Sequence, residues 1–255
     1  GGVTLVTNAG SNGKFIGVLD FAVRGGRIRD WSYELLPVFA ELLPPDPDME
    51  ALIAGIRAPF LTRLSEPLAQ TDALLYRRGN FNGSMDQLIC NALMEEMDAP
   101  IALSPGLRWG TTLLPGDIVT MEHLMSQVAI TYPEVTLIEM TGARLKQVLE
   151  DVADNLFHPD PYYQQGGDMV RAGGLQYAIA PLASVGSRIT DLSLNGEPIE
   201  ADKTYEVAGW ASIQKTQGEA IWDVVSRWLR REGQIGALMP NVPAVTGLAN
   251  NLGLD

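Results

Sequence analysis

The sequence has 255 residues, of which 46% are apolar and 19% charged, with 18 basic and 31 acidic side chains for a formal charge of −13. Such a chain can bury a sizeable core, which excludes a disordered or coiled-coil protein, and its acidic balance argues against broad nucleic-acid or anionic-lipid binding. One cysteine and two histidines exclude an internal disulfide, a thiolate metal cage and most catalytic zinc or dinuclear sites.

In chain order, Gly1-Gly2-Val3-Thr4 lacks the basic and apolar regions of a signal peptide and reads as the middle of a strand, as in a fragment of a larger protein. Residues 3–7 and 15–23 are predicted strands, separated by the Asn/Gly-rich turn 8–13, and Gly25-Gly26 turns into a third strand. Residues 43–48, with three prolines, form the clearest linker. A helical stretch is expected from Met49 to about Leu75, interrupted near Pro59 and Pro67. Ser84 and Gln87 have the spacing of a capping box, ahead of a helix with Met85, Leu88, Ile89, Ala92, Leu93 and Met97 on its apolar face.

Residues 101–104 read as a short buried strand, a helix follows Thr120, and 134–140 reads as a strand. Thr141 caps a helix whose apolar face is Leu145, Val148, Leu149, Val152 and Leu156. Strands over 175–181, 188–195 and 203–212 come next, the last two joined by an Asn195-Gly196 hairpin, and a final helix covers about 219–231. Mixed helices and antiparallel hairpins give an α+β fold with a mixed sheet.

Three loops concentrate glycine, arginine and aromatic side chains. Residues 76–83 precede a helix, so Arg77 and Arg78 are either a solvated pair or part of an anion cradle. Residues 104–110 leave a buried strand, where Arg108 can present a planar fork to an oxyanion and Trp109 either walls a pocket or plugs the core. Residues 159–174 place Asp168 three positions before Arg171, which either pair with each other or set Arg171 toward a ligand. Residues 129–133 form a weaker fourth loop. His123, His158 and Cys90 read as structural, and no P-loop, dinucleotide or nucleophile-elbow motif is present.

The segments TLVTNAGSNGKFIGVLDF, LLYRRGNFNGSMDQLI, LSPGLRWGTTLLPG, TYPEV with MTG, LEDVADNLFHPDPYYQQGGDMVR and KTYEVAGWA together resemble the C-terminal half of the 5′-nucleotidase superfamily, and within it the SoxB-type thiosulfohydrolases. The resemblance implies residues 1–42 as the last strands of a metallophosphoesterase-like domain, 43–75 as linker and helix, and 76–255 as a 5′-nucleotidase-like substrate-binding domain. It implies a periplasmic hydrolase that releases sulfate from a cysteine S-thiosulfonate on the SoxYZ carrier protein, with no nucleic-acid or membrane partner. Two manganese ions would generate hydroxide in the intact enzyme. Their ligands belong to a preceding domain whose Gly-His-Thr-His element is absent here, so this chain alone is expected to bind no metal and to be inactive.

By the same resemblance, Arg108 stands where nucleotidases have a phosphate-holding Gly-Gly-Ile-Arg arginine, and Arg108 and Arg171 hold the sulfone oxygens as catalytic residues. Arg77, Arg78, Asn80, Trp109, Tyr163, Gln165, Gly167 and Asp168 bind substrate, with Asp168 orienting Arg171 and with Tyr163 and Trp109 lining the path of the carrier's tail. Residues 210–219 lack the Gly-Gly-Asp-Gly-aromatic segment of nucleotidases, a departure that disfavours nucleoside recognition. A 5′-nucleotidase-like phosphoesterase and a non-catalytic carrier-docking module are the rival readings.

Overall fold

The computed structural model describes residues 4–10, 13–77, 79, 81–107, 109–164 and 167–248. The chain divides into two compact units, 1–61 and 62–255.

The first unit is built on strands β1 (Phe15–Arg24) and β2 (Arg27–Pro37), a long antiparallel hairpin closed by Gly25-Gly26 with both glycines at positive φ. The strand expected at residues 3–7 does not form over its described part, residues 4–7, and residue 3 lies outside the described residues. Helix α1 (Pro47–Arg57) starts at Asp46, whose carboxylate accepts from the Met49 N–H, with Pro47 in the first-turn position that needs no donor.

A single turn, α2 (Leu61–Leu64), leads into the second unit. There the helix expected to continue to Leu75 is replaced by a strand, β3 (Pro67–Thr71). The reason is tertiary: Leu68, Ala69 and Thr71 are buried, and Pro67, which would break a helix, is tolerated at a strand's first residue. The elements that follow are α3 (Ser84–Glu96), β4 (Ile101–Ser104), β5 (Ile118–Thr120), α4 (Met121–Val128), β6 (Thr136–Thr141) and α5 (Gly142–Leu156). After these come β7 (Arg171–Gly173), β8 (Leu175–Ile179), β9 (Ile189–Leu194), β10 (Glu197–Pro198), β11 (Thr204–Gly209), α6 (Ile221–Glu232), β12 (Gln234–Ile235) and β13 (Ala244–Val245). Asn195 and Gly196 both take positive φ in a tight turn, but the hairpin it closes joins β9 to the short β10, not to the expected strand at 203–212, which as β11 pairs with β6 and β4 instead.

The central sheet runs β6-β11-β4-β7, with β11 and β4 parallel and the outer pairs antiparallel, so the fold is the expected α+β with mixed sheets. Alternation along its strands separates two cores. Ile101 and Val207 join Leu145, Leu149 and Ala153 of α5 and Leu175, Ile179 and Ile189 of the β8–β9 sheet. Ala102 and Ala208 face the other way, onto a core of α3, α4, α6 and the β12-β3-β5 sheet.

Helix caps follow the expected chemistry at two of three places. Thr141 caps α5 by accepting from the Arg144 N–H. Thr120 caps α4 in a reciprocal box whose second member is His123, a structural job for that histidine. The expected Ser84–Gln87 box does not form. Ser84 Oγ instead accepts from the Tyr76 N–H, at 3.1 Å, and donates to the Leu74 carbonyl. The Gln87 Oε1 accepts from Asn82 and from the Asn241 N–H, tying a C-terminal strap to the helix.

Candidate functional site

The β4–β7 register determines where the loops meet. Ser104, the last residue of β4, lies opposite Arg171, the first of β7, so the segment leaving β4 and the segment entering β7 emerge side by side. Helix α3 packs on both strands and brings the loop before it, residues 76–83, to the same end. The approach is close enough to demand glycine: a Cβ on Gly106 would stand 2.4 Å from the Met169 carbonyl oxygen.

At this junction four charged side chains are buried together. Asp86, in the first turn of α3, accepts from Arg77 Nε at 2.8 Å, and its other oxygen faces Arg171 Nε across 3.5 Å. Arg77 also donates to the carbonyls of Gln127, at 2.5 Å, and Pro105, at 3.0 Å. Arg171 donates through Nη2 to the Gly79 carbonyl at 3.0 Å and to Asp168 at 3.2 Å. Burial pushes the Asp86 carboxyl up from the usual carboxylate range, against the pull of Arg77 and Arg171. Burial likewise pulls Arg77 down, against Asp86.

Beside the junction a cleft of about 570 Å³ opens between the sheet and α5. Leu103, Ile138, Met140, Val207, Val148 and Val152 make its walls apolar, and Ser104, Asp168, Ser212 and Thr216 give it polar groups. Trp210 closes part of it, its indole N–H donating to Ser104 Oγ at 2.9 Å.

Of the residues expected from sequence, Arg77, Asp168 and Arg171 come together, whereas Arg78, Asn80, Arg108 and Gln165 lie outside the described residues. Arg77 and Arg171 are 2% and 0% exposed, so within this chain neither guanidinium is presented to solvent as an open fork, and Asp168 pairs with Arg171. Trp109 is 40% exposed and donates its indole N–H to the same Gln127 carbonyl that Arg77 holds. Tyr163 is 66% exposed and lies obliquely on the His158 ring, centroids 4.8 Å apart. Gly167 takes φ +98°, which a side chain would strain.

Sequence reasoning missed Asp86 and Gln127. The available signal for Asp86 was an acid in a helix first turn, ordinarily a partner of the helix dipole, but on the helix face that also carries Ile89, Cys90 and Leu93. Gln127 carried none, because it acts through its backbone. Among the described residues no group of three or more His, Cys, Asp or Glu side chains could hold a metal ion. The dinuclear centre implied by the resemblance therefore does not fit them.

Against known proteins, residues 67–227 match the family described as 5′-nucleotidase, C-terminal domain. The structure of a sulfate thiohydrolase SoxB from Thermus thermophilus superposes with a TM-score of 0.86 at 35% identity, covering 94% of this chain and 46% of that one. A 5′-nucleotidase precursor, also from Thermus thermophilus, shares the fold at TM-score 0.75 and 16% identity, covering 93% of this chain and 51% of that one. Protein UshA of Yersinia enterocolitica is 23% identical over 239 residues, covering 80% of this chain and 38% of its own length. The chain thus spans between a third and about half of these relatives.

Proposed function

The chain belongs to the family of 5′-nucleotidase C-terminal domains, and from that premise we propose that it is the substrate-binding part of a SoxB-like thiosulfohydrolase. Its substrate would be a cysteine S-thiosulfonate on the SoxYZ carrier, hydrolysed to sulfate in thiosulfate oxidation. The observation that carries this reading is the 35% identity to a sulfate thiohydrolase across 94% of the chain, where the nucleotidase of similar fold shares 16%. The absent Gly-Gly-Asp-Gly-aromatic segment supports it too.

In this reading water oxygen bonds to the terminal sulfur, the bond from that sulfur to the carrier's sulfur breaks, and the leaving sulfur takes a proton. Arg108 contacts the sulfone oxygens and matches their charge as it develops. Arg171, enclosed here, acts through Asp168 and the Gly79 carbonyl rather than by direct contact. Trp109 and Tyr163, both partly exposed, offer aromatic surface to the carrier's tail, and Arg78, Asn80, Gln165 and Gly167 complete the anion loops. The two manganese ions that the resemblance implies would supply hydroxide in the intact enzyme, and none of the described residues is assigned to them. Periplasmic location belongs to the same proposal. No helix among the described residues is long and apolar enough to cross a membrane.

The test is turnover by the intact enzyme of a carrier-tail peptide bearing a cysteine S-thiosulfonate, with AMP in parallel. Sulfate release with AMP inert is expected, and Arg108→Ala lowers turnover at least ~100-fold, the magnitude for one lost oxyanion donor. Hydrolysis of AMP with the peptide inert establishes the phosphoesterase instead. Carrier binding without turnover of either establishes a docking module.

A further inference from the structure

We propose that Asp86 is a positioning residue that holds the anion-binding loops in register with one another; this rests on the hydrolase reading above. Asp86 is 0% exposed and touches two arginines, each of which leads to different loops. Through Arg77 it reaches the Pro105 carbonyl, ahead of Arg108, and the Gln127 carbonyl, on which Trp109 also rests. Through Arg171 it reaches the Gly79 carbonyl, between Arg78 and Asn80, and Asp168. The segments expected to carry the substrate contacts are therefore joined at one carboxylate on a rigid helix.

The chemistry of the node favours geometry over stability as its contribution. Burying charges costs several kcal/mol each, and well-packed apolar replacements of buried ion pairs are often neutral or stabilising. A buried guanidinium, by contrast, has donors in fixed directions and pins carbonyl oxygens that an apolar side chain leaves unheld. Gly79 and Gly106 show how little slack the loops have: a Cβ would stand 1.7 Å from the Asn82 oxygen at the first and 2.4 Å from the Met169 oxygen at the second. Displacement of a substrate group by about 1 Å can cost on the order of 100-fold in rate.

The experiment compares Asp86→Asn, and the double variant Arg77→Met with Asp86→Leu, with the intact, metal-loaded wild type. The substrate is whichever of the S-thiosulfonate peptide and AMP the wild type hydrolyses. Measured are kcat/KM, competitive inhibition by inorganic sulfate and phosphate, and the melting midpoint, with kinetics run well below each variant's own midpoint. Expected is a fall in kcat/KM of roughly 100-fold with at least about 10-fold weaker anion inhibition, in a variant whose circular dichroism is that of the wild type. The double variant shows the same loss even where its midpoint matches the wild type, which a purely structural role would not produce. A folded variant of either kind that keeps kcat/KM and anion inhibition within about threefold overturns the proposal, as does failure of both variants to fold. If the wild type hydrolyses AMP and not the thiosulfonate, the substrate reading falls while the Asp86 comparison is still decided on AMP.

Discussion

Two arginine networks are buried in the second unit, on either side of the central sheet, and they differ in what they hold. Arg188, at the start of β9, sends Nε to the Pro181 carbonyl and Nη2 to the Phe157 carbonyl and pairs with Asp154. Glu150 accepts from the Arg188 and Ile189 N–H groups, and Asp154 accepts from the Gly186 N–H. This network fastens α5 and its C-terminal end to the β8–β9 loop and the start of β9, so it holds one helix against one hairpin. The Asp86 network instead joins segments near residues 79, 105, 127 and 168, and it does so next to the 570 Å³ cleft. Burial of an arginine therefore says little about function by itself. What marks the Asp86 network is the set of distant backbone segments it pins and the cleft that lies beside them.

The comparison is most sharply broken by removing each arginine. Arg171→Ala should cost about 3–5 kcal/mol, because it strands the buried Asp86 and Asp168. Arg188→Ala should cost about 1–3 kcal/mol, because the Pro181 and Phe157 carbonyls lose a donor while Asp154, 18% exposed, keeps the Gly186 N–H. In the intact enzyme below its melting midpoint, Arg188→Ala should retain turnover and Arg171→Ala should lose at least about 100-fold. Equal kinetic loss in both would erase the distinction.

A second effect appears at high pH. Burial pushes the Cys90 thiol, one turn along α3 from Asp86, and the Tyr177 phenol on β8 each up to about 12. Unfolded, these groups ionise near 8.5 and 10 respectively. Between those values and about 12 the folded state keeps protons that the unfolded state releases, so this stability is complete below the unfolded values and is lost as pH rises. Denaturant titrations from pH 8 to 11 should show a falling unfolding free energy, with Cys90→Ala and Tyr177→Phe each flattening the slope by at most about 1.4 kcal/mol per pH unit.

Smaller still is Trp210→Phe, which leaves Ser104 Oγ without its indole donor and should cost about 1 kcal/mol by thermal unfolding. Smallest is Arg227→Ala on α6. Arg227 is 46% exposed and Glu219 58%, and the enclosed Glu96 keeps Arg231 as a partner, so the loss should shift stability by only about 0.5 kcal/mol and fade with added salt.

Much of the architecture was readable before any coordinates because it rests on local periodicity. The apolar stripe of α5 and its Thr141 cap, the Asn195-Gly196 turn, the buried strand at 101–104 and the final helix are set by residues within a few positions of one another, whereas the partner of the strand before that turn is not. Two errors have a shared origin. Residues 67–71 lacked a strand signature and became a strand through pairing with β5 and β12, more than 45 positions away. Ser84 and Gln87 had capping-box spacing, but the Leu74 carbonyl and a distant Asn241 competed for their side chains.

The site divides in the same way. Composition and loop chemistry were enough to indicate an acidic α+β chain with anion-suited loops at 76–83, 104–110 and 159–174, and to place Arg77, Asp168 and Arg171 among them. That Asp86 lies between both arginines, that their guanidinium groups are enclosed, and that one carboxylate ties all three loops together was decided by the β4–β7 register and the packing of α3 across it. Short-range patterns encode dihedral preferences and burial faces. Contacts between residues dozens of positions apart exist only once the sheet has aligned the strands that carry them.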